Sequence, residues 1–163
     1  MNQRERLKGR LENARKFSLR LLSDFTSPSD WIHQLHEGGN HALWFVGHMG
    51  NTDNFMISML APDQDNSLEN FGDQFGMGSQ PSSDFSSYPA VEDLLEYMQQ
   101  RREVLLTLLA GLEDEQLDES TPEGTPAFMP DVASVFETAI WHEALHSGQL
   151  SMIRRALGHP PTV

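Results

Sequence analysis

His142 and His146 stand four residues apart in the run Trp141-His142-Glu143-Ala144-Leu145-His146. On a helix that spacing puts both imidazoles on one face, one turn apart, where they can reach a single metal ion. Glu143 completes a H-E-x-x-H match, the pattern in which the acid serves as general base of a zinc peptidase. A third ligand decides between that enzyme and something else. The metzincin pattern would put a glycine and a third histidine where Gln149 and Met152 stand. No Asp or Glu follows Glu143, and His159 lies beside two prolines. The third ligand should therefore come from upstream, and His48 is the best candidate.

The elements that must position these groups read as helices. Leu7, Leu11, Ala14, Phe17, Leu21 and Phe25 recur at three- and four-residue steps, which predicts a first helix over 3–26. A short turn over 31–36 follows. Asn40 then caps a second helix, 41–60, with His41, Phe45, His48, Thr52, Phe55 and Met59 inward. Pro89 opens a third helix over 89–111 whose stripe runs from Leu94 to Leu109, with Arg101 and Arg102 turned outward. Asp131 caps a fourth that stops at Gly158 and carries His142 and His146 in line with Val135, Ala139 and Leu150. Residues 61–88 have no period, yet Phe71, Phe75, Met77, Phe85 and Tyr88 are scattered through them. That content predicts a long connection packed across the helices by its aromatics. No strand pattern appears, so the fold class is all-α, a four-helix bundle in one domain over 1–163.

His48, His142 and His146 all fall on inward stripes. A buried imidazole needs a partner, and one shared ion would satisfy all three. The plainer alternative is three core histidines bonded to backbone carbonyls or water.

Composition narrows the partners. Seven of the eleven Lys and Arg lie in residues 1–20, which sum to +5; the remainder carries −18, for a net charge of −13. So acidic a body repels phosphate backbones, which argues against nucleic acid. There is no cysteine, so disulfides, thiol nucleophiles and thiolate ligands are excluded. No apolar run approaches the ~20 residues of a membrane span, and no signal peptide is visible; a soluble cytoplasmic protein is expected.

Asn40-His41-Ala42-Leu43-Trp44-Phe45-Val46-Gly47-His48-Met49 and His142-Glu143-Ala144-Leu145-His146-Ser147-Gly148-Gln149-Leu150, with Arg154 to Gly158 behind, resemble the second- and fourth-helix segments of the DinB/YfiT-like family. The resemblance implies an up-down-down-up bundle with metal ligands His48, His142 and His146, nickel or zinc as the ion, and a homodimer. It implies a small-molecule substrate, and for characterised relatives a thiol cosubstrate such as bacillithiol, mycothiol or glutathione. The chain departs from the family at Ser147, where many members carry Arg, and in the long 61–88 link.

Three neutral imidazoles leave coordination positions open, as in a catalytic site. Such an ion could lower the pKa of a water or of a delivered thiol. Glu143 could act as a base or orient a ligand; the plain alternative is a solvated glutamate. Gln149 and Thr52 are candidates to support a ligand, Trp44 is read as core, and His33, His36 and His41 as structural or exposed. The expected function is a metal-dependent thiol transferase or small-molecule hydrolase. The alternatives are a non-enzymatic bundle stabilised by metal and, further off, a H-E-x-x-H zinc peptidase.

Overall fold

A computed structural model describes residues 2–64 and 71–162. Its elements are α1 (Gln3–Leu22), α2 (Pro28–Trp31), α3 (Ala42–Leu60), α4 (Gly72–Phe75), a 3₁₀ turn (Phe85–Ser87), α5 (Val91–Ala110), a second 3₁₀ turn (Asp114–Asp118) and α6 (Val132–Ala156). The chain is all-helical, with four long helices and no strand among the described residues. α1 packs on α6 and α5, and α3 packs on α5 and α6.

Local chemistry sets the helix ends. Asn2 and Glu5 form a reciprocal cap at the start of α1, and Asp131 and Ser134 do so for α6. The first helix stops at Leu22, short of the expected residue 26, and Ser27 caps the four-residue α2 with Asp30 returning the bond. α3 begins one residue later than expected. Its cap is His41, whose Nδ1 accepts from the Trp44 amide at 3.1 Å, while Asn40 reaches across to Gln149.

The connection before α5 is held by aromatics, as its composition suggests. Phe75 is wholly buried, Tyr88 stacks on it at 5.6 Å, and Phe71 leans on Tyr97. Met77 departs from that expectation and is almost fully exposed. Residues 65–70 of the link lie outside the described residues.

The apolar core falls into two clusters. One gathers Leu21, Leu22, Leu43, Phe45, Met49, Leu94, Met98, Leu150 and Ile153; the other gathers Leu7, Leu11, Met56, Ile57, Leu105, Leu109, Val135, Phe136 and Ala139. Each long helix contributes a charge to a buried group between its contributions to the two: Arg15, Asp53, Arg102 and Glu143. Arg15 reaches Asp53 at 3.0 Å and Glu143 at 2.8 Å; Arg102 reaches them at 2.9 and 2.8 Å. Two cations and two anions therefore close on one another in a polar layer across the bundle. Burial works against the Arg102 charge, but Asp53 and Glu143 more than offset it and hold its pKa above the ordinary arginine value. Arg102 thus corrects the outward placement drawn from its sequence, and Arg101 is buried as well.

Candidate metal centre

His48 sits in the N-terminal half of α3, with His142 and His146 on successive turns of α6. One ring nitrogen from each lies within 4.8 Å of the other two. His48 Nε2 and His142 Nε2 are 3.4 Å apart, and the His146 ring lies 4.8 Å and 4.6 Å from the other two centroids. Two nitrogens held tetrahedrally at zinc–imidazole distance are about 3.4 Å apart.

The outer ring nitrogens decide which lone pairs face inward. His48 Nδ1 is 2.7 Å from the Phe75 carbonyl oxygen, so Nδ1 carries the proton and Nε2 offers a lone pair. His146 Nδ1 is 2.9 Å from Gln149 Oε1, which leaves its Nε2 free in the same way. Asn40 donates to that same Gln149 oxygen at 3.1 Å and fixes the amide. His142 Nδ1 is buried without a protein partner among the described residues. Lone pairs that converge repel unless a proton or a cation lies between them, and the donor set suits a borderline divalent ion.

The rings are neutral at ordinary pH. Burial pushes His48 down to about 4; the Phe75 carbonyl opposes that shift and His146 adds to it. Burial likewise takes His142 to about 4, helped by His146 and His48 and opposed by Asp53. His146 is lowered, chiefly by burial. Neutral imidazole is the form that binds a metal.

The packing around His48 depends on one glycine. A Cβ at Gly47 would lie 2.4 Å from the Phe75 ring. Without it the ring lies flat on α3, and the Phe75 carbonyl reaches His48. Trp44 covers the other side, its ring stacked on His48 at 4.2 Å and 16°. A cavity of about 840 Å³ opens beside His48 and His142, lined by Trp44 and Phe75 as well.

The remaining candidates lie elsewhere. Glu143 is fully buried, turned into the polar layer, where Arg15, Arg102 and the Ser18 hydroxyl hold its carboxylate. It is neither solvated nor part of the imidazole group. His41 caps α3 and bonds Ser82 and Tyr88. His36 is exposed, and His33 stands apart from the cluster. Thr52 lines the cavity. Two supports escaped the sequence reading. The Phe75 carbonyl is a backbone group of an irregular segment and leaves no mark in residue type. The polar layer did leave one, since Arg15, Asp53 and Arg102 each stand three or four residues from core apolar positions on both sides.

A search of curated proteins finds no match to the chain. The family description "DinB superfamily" matches residues 10–150, a span that holds all three histidines and all four residues of the polar layer, and the chain belongs to that superfamily.

Proposed function

We propose that this protein is a divalent-metal-dependent enzyme acting on a small molecule at a site built by His48, His142 and His146. The observation that carries the reading is the convergence of three neutral imidazoles beside a cavity, with His48 Nε2 and His142 Nε2 3.4 Å apart. Nickel or zinc suits this donor set. When bound, the ion supplies a concentrated positive charge that lowers the pKa of a water or of a delivered thiol. Hydrolysis or thiol transfer is the corresponding reaction class.

The chain's own residues do the positioning. The Phe75 carbonyl and Gln149 hold His48 and His146 with their protons outward. Trp44 stacks on one face of His48 and fixes its ring plane. Glu143 acts as a positioning residue instead of a base: through Arg15 and Arg102 it fixes the rotation of α6, and so the direction of the adjacent His142.

The reading includes a single domain whose four long helices run up-down-down-up. α1 and α6 meet the Leu7–Leu11 cluster first, whereas α3 and α5 meet it last, which supports that order. Asn51 with Tyr97 and Asn54 with Arg101 pair in increasing register, as parallel α3 and α5 require. A homodimer is part of the proposal. Trp141, Leu145 and Met152 leave an exposed apolar line along α6, and light scattering of wild type against Leu145→Asp checks it.

Elemental analysis and calorimetric titration with nickel and zinc test the centre. Stoichiometric binding is expected in the wild type, with loss in His48→Ala, His142→Ala and His146→Ala. A wild-type protein that binds neither ion would overturn the reading. A chelator that collapses the fold outright would favour the purely structural role.

A further inference from the structure

We infer that the cavity beside the histidines takes a neutral, largely aromatic small molecule, with its polar function at the His48–His142 end. This names the substrate class of the proposed metal centre and rests on that reading for where reaction occurs.

The cavity, about 840 Å³, is the size of a small-molecule site. Trp44, Phe55, Phe75, Phe128 and Trp141 supply five aromatic side chains to its walls. No Asp, Glu, Lys or Arg lines it among the described residues. Most of its polar wall is already committed. Asn51 accepts from Tyr97 and donates to the Phe71 carbonyl, Asn54 accepts from Arg101, Ser58 donates to Phe55, and Thr138 donates to Ser134. Thr52, one turn beyond His48 on α3, also lines the cavity.

A charged ligand would need a counter-charge, and the chain has few to give. Outside residues 1–20 the cations are Arg101, Arg102, Arg154 and Arg155. Arg102 is held by Asp53 and Glu143, and Arg154 by Asp24. Arg155 stands exposed at the end of α6. Arg101 meets Asn54 at 3.4 Å and opens on a different groove, beside Gln100 and Glu103. Residues 65–70 add Asp65 and Glu69 to the chain's charge and no cation. An anion in this cavity, away from the metal position, would be desolvated with no partner. A thiol cosubstrate rich in carboxylates meets the same obstacle, whereas flat apolar rings find aromatic walls on several sides.

The test uses an isosteric pair, a naphthalene carboxamide and the corresponding naphthalene carboxylate, on the nickel-loaded protein and on chelator-treated protein. Methionine methyl NMR locates binding, because Met56 and Met129 line the cavity and Met152 lies outside it, on the apolar line of α6 proposed for the dimer. The carboxamide is expected to shift Met56 and Met129 saturably in both forms. The carboxylate should bind about tenfold or more weakly in the treated form. Phe128→Lys, at the exposed rim, should restore carboxylate binding. Equal affinity for the two probes in the treated protein would overturn the inference. So would the absence of saturable shifts, or shifts confined to Met152, which would mark an occupant of that α6 face instead of the cavity. If the protein takes up no nickel while the carboxamide still shifts Met56 and Met129, the metal reading falls and the cavity assignment stands.

Discussion

Arg15 Nε and a carboxylate oxygen of Glu143 lie 2.8 Å apart in the core although 128 residues separate them in the chain. Glu143 adjoins His142, so the bond ties the orientation of a proposed ligand to a charge on the first helix. Taking away one member of such a buried group leaves the others without compensation, at about 3–5 kcal/mol. Glu143→Ala should lower stability by that order, read as a shift in the urea midpoint. A glutamate that served only as a base would leave the midpoint where it was.

Acid should weaken the metal-free protein. His48 and His142 are depressed to about 4 in the folded chain, against an ordinary value near 6.5. Between those values the unfolded chain binds the protons that the folded chain refuses. The stabilisation is therefore complete above pH ~6.5 and is lost as pH falls toward ~4. Urea midpoints across that window check the sign. The trend should shrink in His48→Ala and His142→Ala.

Gly47→Ala should be harmful despite the usual gain of about 1 kcal/mol when alanine replaces a helical glycine. The new methyl would meet the Phe75 ring at 2.4 Å and push away the segment whose carbonyl orients His48. Lower thermal stability and weaker metal binding together are expected. Normal binding would mean that Phe75 does not set the ring.

Gln149→Leu should leave the fold intact. It removes the oxygen that accepts from His146 and Asn40, and metal affinity should fall about 10- to 100-fold, as for other groups that orient a ligand. Competition with a chromogenic chelator measures it.

Adding nickel or zinc should raise the melting temperature, because the ligands join α3 to α6 only in the folded chain. At an ion concentration 100 times the dissociation constant the gain is about 2.7 kcal/mol. It should vanish in His146→Ala.

The grouping of His48, His142 and His146 was legible because His48 stands between Phe45 and Thr52, and His142 and His146 stand in line with Ala139 and Leu150, at helical spacing. Arg102 was misjudged for a physical reason. Arginine is usually exposed, and only partners on other helices, Asp53 and Glu143, make its burial tolerable. Glu143 was ambiguous on the same grounds, since H-E-x-x-H spacing says nothing of what faces it. The cap of α3 moved from Asn40 to His41 because an imidazole nitrogen accepts an amide bond as an asparagine oxygen does. The Phe75 contribution was out of reach, since a carbonyl belongs to every residue and only tertiary structure aims it.

The layer of Arg15, Asp53, Arg102 and Glu143 also works as a depth gauge. Sliding α3 past α6 by one helical turn, about 5.4 Å, would push a carboxylate into hydrocarbon and leave a guanidinium facing nothing. Leucines alone would tolerate such a slip far better, since one methyl group replaces another. The height at which His48 meets His142 is thereby set some way from the imidazoles themselves, by charges that do not line the cavity.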